Sequence, residues 1–124
     1  MGNDFPVVRY ADILLSHAEA LNELNGPTQE AVDLINQVRA KAGVPLLVLS
    51  DFAAKETLRD HILKERGWEF FSEELRRQDL VRHGKFIEYG KSRGKVAFDY
   101  QVLYPIPQSE IDRNSNLEQN DGYQ

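Results

Sequence analysis

Residues 9–43 read RYADILLSHAEALNELNGPTQEAVDLINQVRAKAG, and this stretch decides the fold. Within it Ala11, Leu14, Leu15, Ala18 and Leu21 recur at steps of three and four, the spacing that lines one face of an α-helix. Asn25-Gly26-Pro27 stops that face, because glycine accepts the left-handed turn of a helix end and proline cannot extend the helix. Thr28 then offers a hydroxyl N-cap, and Ala31, Leu34, Ile35, Val38 and Ala42 draw a second stripe before Gly43 and Pro45 end it. The spacing predicts helices over 9–24 and 28–42. The turn between them is so short that they should pack antiparallel.

Working outward, Phe5-Pro6-Val7-Val8 reads as an extended lead-in, since proline biases the preceding residue away from helix. Residues 46–49 are an apolar connector, and Asp51 is placed to cap a third helix over 52–72. Leu58, Ile62, Leu63, Trp68, Phe70 and Phe71 supply its buried side. Gly67 costs about 1 kcal/mol inside a helix, which points to a kink or a tight contact there. A shorter helix is expected over 76–83, ending at Gly84, followed by a polar loop over 85–95. Tyr100 to Pro107 is extended, Pro107 starts a helix over 107–113, and the remainder is an irregular tail. The first helix pair has about the length of one tetratricopeptide unit without its full signature. The expected architecture is one all-α domain over residues 1–124, built of tetratricopeptide-like antiparallel helical hairpins with an irregular C-terminal extended segment and tail.

Fifteen basic against twenty acidic side chains give a net charge of −5, a poor balance for neutralising phosphates, so no nucleic-acid partner is expected. The absence of cysteine excludes disulfides, thiol catalysis and thiolate metal sites. No apolar run spans a bilayer, and no signal pattern opens the chain.

The candidate chemistry is sparse. Gly90-Lys91-Ser92 resembles the end of a phosphate loop, but Lys85 stands where that motif needs glycine, so a flexible basic loop is the reading. His17, His61 and His83 form no metal-ligand spacing; His61 and Glu65, one helical turn apart, read as a surface pair. Glu69, Glu73 and Asp79 alternate with Arg66, Arg76 and Arg82, the pattern of an intramolecular ion-pair network. An enzyme using Glu73, Asp79 and His83 is the rival reading. No nucleophile has a base and an orienter beside it, so no catalytic, metal or cofactor residue is assigned. Among aromatics, Phe70, Phe71 and Trp68 belong to the core, while Tyr100 and Tyr104, in an extended segment, are the candidates for stacking on a sugar.

Read in order, four blocks resemble the C-terminal region of the SusD/RagB family. They are Phe5 to Leu15 with Ala18-Glu19-Ala20; Ala31 through Asn36, Val38-Arg39 and Ala42-Gly43; Glu65-Arg66, Glu69, Glu73, Arg76, Asp79-Leu80, Arg82 and Gly84; and Leu103-Tyr104-Pro105-Ile106-Pro107, Glu110-Ile111, Asn114, Asn116, Gln119-Asn120 and Gly122-Tyr123. The third block departs from the pattern. Glu74-Leu75 stands where Gly-His is usual, Arg77-Gln78 where aromatics are usual, and His83 where tryptophan is usual.

The resemblance implies a lipid-anchored, outward-facing protein of the outer membrane in Bacteroidetes-type bacteria. Such proteins bind an oligosaccharide or peptide ligand and work with a TonB-dependent transporter. It also implies a parent longer than 124 residues, with the anchor, its signal and much of the ligand site outside this stretch. No ligand residue is therefore transferred, and the ligand-binding residues are unknown at this point. The chain would act as a non-catalytic scaffold with no cofactor. Apolar surface left uncovered would favour self-association. A free-standing helical protein-interaction module is the alternative.

Overall fold

The computed structural model describes residues 7–123; Phe5 and Pro6 of the predicted lead-in lie outside them. Among the described residues six α-helices follow in order: α1 Tyr10–Asn25, α2 Gln29–Ala42, α3 Lys55–Glu69, α4 Leu75–Arg82, α5 Phe86–Ser92 and α6 Gln108–Arg113. Short 3-10 helices cover Leu49–Asp51 and Asp99–Val102, and no strand occurs among the described residues. The chain divides into two compact units, with the division after Arg76.

In the first unit, α1 packs against both α2 and α3. The predicted stripes form its core: Leu14, Leu15 and Ala18 meet Ala31, Ile35 and Val38, and α3 with the turn after it adds Leu58, Ile62 and Phe70. Leu15, Ile35, Leu58 and Ile62 are fully buried, each contributing roughly 1.5–3 kcal/mol of transfer free energy. Thr28 caps α2 as expected, its Oγ1 accepting from the Ala31 amide at 3.2 Å. Gly43 ends α2 in the left-handed region at φ 69°, and the amides of Gly43 and Val44 return to the carbonyls of Ala40 and Arg39. The connector is held by Asn36, whose side-chain amide pairs with the backbone of Leu47 in both directions, at 3.0 and 2.8 Å. Asn22, fully buried on α1, donates to the Lys55 carbonyl at the start of α3.

Several expectations need correction, among them the extended start at Tyr100, which lies in the 3-10 turn Asp99–Val102. Asp51 does not cap the third helix. It closes the 3-10 turn, accepting from the Val48 amide, and α3 begins only at Lys55 because Phe52 leaves helical geometry to pack against the core. Nor does α3 reach residue 72. It stops at Glu69, Phe70 turns inward at 3% exposure, and Phe71 is left 82% exposed. Trp68, read as buried, is 62% exposed. Residues 85–95 are not a loop throughout, since α5 occupies Phe86–Ser92. Gly90, a breaker by composition, sits in that helix where a Cβ would lie 3.3 Å from the Ala97 side chain, so packing favours its small size. Gly67 answers to the tight contact rather than a kink: a Cβ there would meet the Arg76 guanidinium at 2.8 Å, and α3 runs unbroken.

The turn after α3 holds Ser72 and Glu74 at φ 64°, the left-handed region, where an L side chain costs about 1–2 kcal/mol. Glu74→Gly should therefore raise the unfolding free energy by about 0.5–1 kcal/mol, the strain relieved outweighing the added chain entropy. The urea midpoint checks this.

Candidate functional site

The charged third block reads as an intramolecular ion-pair network with forks that hold helix three against its neighbours. In the structure most of its charges find partners on other elements of the chain. Arg9, just before α1, reaches α3 and the turn beyond it. Its Nε and Nη2 donate to the two Glu73 carboxylate oxygens at 2.9 and 2.8 Å. Its Nη1 donates to Glu69 Oε1 at 2.8 Å, and Nη2 also to the Glu69 carbonyl at 2.9 Å. The guanidinium lies 5.0 Å over the buried Phe70 ring, and that of Arg66 lies 5.1 Å over the same ring. Its bonds to Glu73, then to Glu69, hold the Arg9 pKa above its ordinary value. Arg66, itself buried, donates to Asp12 at 2.6 Å.

His61 and Glu65 do pair, at 2.8 Å, but not on the surface. Glu65 is 5% exposed and is also bound by Arg39 of α2. Glu23 is gripped by Arg59 through both carboxylate oxygens and approached by Lys55, which joins the end of α1 to the start of α3. Bonding to Arg59 lowers the Glu23 pKa from 4.5 to about 2, against a smaller desolvation effect.

Of the residues offered as an enzyme, Glu73 has both oxygens committed to Arg9, the buried Asp79 accepts from Arg82 at 3.1 Å, and the His83 amide closes α4 on the Asp79 carbonyl. Glu73 belongs to the first compact unit, Asp79 and His83 to the second. No group of three or more metal-ligating side chains occurs among the described residues. Lys91 and Ser92, read as a basic loop, form the last turn of α5, with Ser92 Oγ donating to the Tyr89 carbonyl.

The second unit is organised by Arg77. Its guanidinium lies 4.9 Å over Phe86 and 3.9 Å over Tyr104, while Nη2 donates to the carbonyls of Gln101 and Val102 at 3.1 and 3.0 Å. A planar cation thus stacks on two aromatic rings. The extended segment is tied to the tail. Tyr123 Oη donates to the Leu103 carbonyl, Asn120 to the Tyr104 carbonyl, and the Gln119 amide pairs with both backbone groups of Ile106. Tyr100 is committed to neighbours, stacked on Phe98 and edge-on to Tyr123. Tyr104 remains 68% exposed.

A feature not read from the sequence is a pair of hollows in the first unit. One, of about 550 Å³, lies among Tyr10, Ala11, Leu14, Val38 and Ala42. The other, of about 400 Å³, lies among Val38, Ala42, Val44, Pro45 and Trp68. They share Val38, Ala42 and Glu69, so they form one trough. Its signal in the sequence was the alanine at position 42 on an apolar stripe, too small to fill its place.

Two measurements probe this framework. Arg9→Lys keeps the charge but loses the fork, and should lower the unfolding free energy by about 2 kcal/mol in urea titration. Because the folded Glu23 pKa lies below its ordinary value, the stabilisation it gives is complete above about pH 4.5 and is lost as pH falls toward 2. Glu23→Gln should flatten that part of the stability–pH profile.

The SusD family model matches residues 1–123. SusD-like protein P38 of Formosa agariphila is 39% identical over 121 residues, covering 93% of this chain and 24% of that protein. The starch-binding protein SusD of Bacteroides thetaiotaomicron is 33% identical over 128 residues, covering 97% and 22%. The solved structure of a laminarin-binding SusD-like protein superposes with a TM-score of 0.74 at 36% identity, covering 94% of this chain and 23% of that one. The chain spans about a quarter of the length of these relatives.

Proposed function

The chain belongs to the SusD family, and from that premise we propose that it is a non-catalytic scaffold segment of an outer-membrane receptor for oligosaccharides. The observation that carries this reading is the match of nearly the whole chain to the family, among whose members are proteins named for binding starch and laminarin. Both named ligands are glucans, which favours an oligosaccharide over a peptide. The geometry supports a supporting rather than a reacting role. Glu69, Glu73, Asp12, Glu65 and Glu23 are each spent on a guanidinium, so each holds a helix end or a turn in place and none is poised as a base. In this reading the receptor is lipid-anchored, faces outward and hands its ligand to a TonB-dependent transporter. The helices position loops that meet ligand and transporter, and no bond is made or broken. No helix among the described residues is long and apolar enough to cross a membrane, so in this reading the anchor makes the attachment.

A receptor of family length carrying these residues should be retarded in gels containing laminarin or starch, and should give saturable heats with their oligosaccharides. The 124-residue chain alone should give neither. Failure of that receptor to bind any glycan class or a mixture of peptides would overturn the reading.

A further inference from the structure

We propose that Asp121 is a site of spontaneous covalent modification, where the Asp121-Gly122 linkage rearranges through a succinimide to isoaspartate and thereby frees Tyr123 from the extended segment. The chemistry needs only water. The amide nitrogen of the following residue attacks the side-chain Cγ of the protonated acid. An N–Cγ bond forms, the Cγ–O bond breaks, and the amide proton leaves with the hydroxyl as water. A second water then opens the ring at either carbonyl. Opening at the main-chain carbonyl leaves the backbone running through Cγ, one methylene longer, with mass and charge unchanged.

Such an attack needs a small following residue, an accessible carboxyl and an amide nitrogen that is not held. Glycine follows an Asn or Asp at two places, Asn25-Gly26 and Asp121-Gly122. The structure separates them. Asn25 is the last residue of α1, and the Gly26 amide donates to the Asn22 carbonyl at 2.9 Å. Ring closure there must give up that bond and unwind the helix end. Asp121 and Gly122 lie in an exposed turn. Neither the Asp121 carboxylate nor the Gly122 amide has a hydrogen-bond partner among the described residues.

The fold also requires the residue that makes the linkage labile. Gly122 sits at φ 85°, in the left-handed region, and a Cβ there would collide with the Tyr100 ring. No larger side chain fits, so the nitrogen stays unshielded. The consequence falls on the next residue. Tyr123 Oη donates to the Leu103 carbonyl at 2.8 Å, and its ring stands edge-on to Tyr100 with centroids 4.9 Å apart. Asn120 donates to the Tyr104 carbonyl at 2.7 Å. Asp121 and Gly122 bridge these two anchors, so an added methylene changes the span between them. Tyr123, held by one hydrogen bond and one ring contact, is the anchor that lets go.

The test incubates the 124-residue chain in mildly acidic buffer, folded and in urea. Peptide mass spectrometry with electron-transfer fragmentation, which tells isoaspartate from aspartate, follows both sites. Asp121 should isomerise in the folded chain within about threefold of its rate in urea, while folding slows Asn25 about tenfold or more. The tyrosine near-ultraviolet dichroism should fall in proportion to the isomer formed at Asp121. Asp121→Glu, whose longer side chain no longer closes a five-membered ring, should keep both the signal and a single species at that position. Slowing of Asp121 by folding as great as that of Asn25 would overturn the site. Isomer accumulating with unchanged dichroism would overturn the release of Tyr123, and so would an equal loss of signal in Asp121→Glu.

Discussion

Arg9 closes the first unit by joining the beginning of one helix to the end of another. Helix ends carry backbone groups with no partner inside the helix, and α3 ends beside buried apolar side chains. Arg9 donates to one such carbonyl, that of Glu69, and uses its remaining donors on the Glu69 and Glu73 carboxylates. The same guanidinium covers Phe70, the residue by which the turn after α3 enters the core. That turn carries two side chains in the left-handed region, a conformation that survives only where surrounding bonds over-determine it. The fork on Glu73, the residue between them, is such a bond. Lysine's ammonium has three donors on one point charge and cannot satisfy these four acceptor oxygens as the guanidinium fork does.

The helical hairpin was legible because its signals are local. Stripes at three- and four-residue steps, a Thr cap and a Gly-Pro stop reflect interactions within a few residues, and α1 and α2 lie within one residue of their predicted bounds. The misreadings lie where a distant partner decides. Helix α3 ends at Glu69, where Arg9, 60 positions earlier, takes its carbonyl. Helix α5 forms around a glycine that packs closely against Ala97. Phe71 and Trp68 continue an apolar pattern, yet one has left the helix and the other faces the trough. Periodicity reports that a face is apolar, not which surface it meets.

The charged framework was legible in kind and not in pairing. Alternating acids and arginines pointed to bracing, but spacing within the third block cannot show that Asp12 and Arg9, from the first block, are the partners. The departures from the family pattern become physical statements once the backbone is seen. Glutamate in place of glycine at 74 leaves strain in the turn. Arginine at 77, one of the residues noted as departing from the resemblance, offers a flat face to Tyr104 and Phe86 and donors to two carbonyls.

The two units hold themselves by different means, and this bears on what the chain needs from its surroundings. The first has nine buried residues in one apolar cluster, enough to fix three helices without help. In the second, Leu80 is the one buried apolar side chain among the described residues. Its extended segment is instead secured by Tyr123, Asn120 and Gln119 bonding to backbone, and by Arg77 stacking. Bonds exposed to water contribute only about 0.5–1.5 kcal/mol each, against an ordering cost of roughly 1–2 kcal/mol for every residue fixed. A unit ordered mainly in this way is therefore marginal by itself. Covering its exposed Val96, Leu103 and Tyr104 would add the apolar burial it lacks. That deficit and the open trough beside Trp68 have one physical origin: apolar surface that this stretch of sequence presents but does not itself bury.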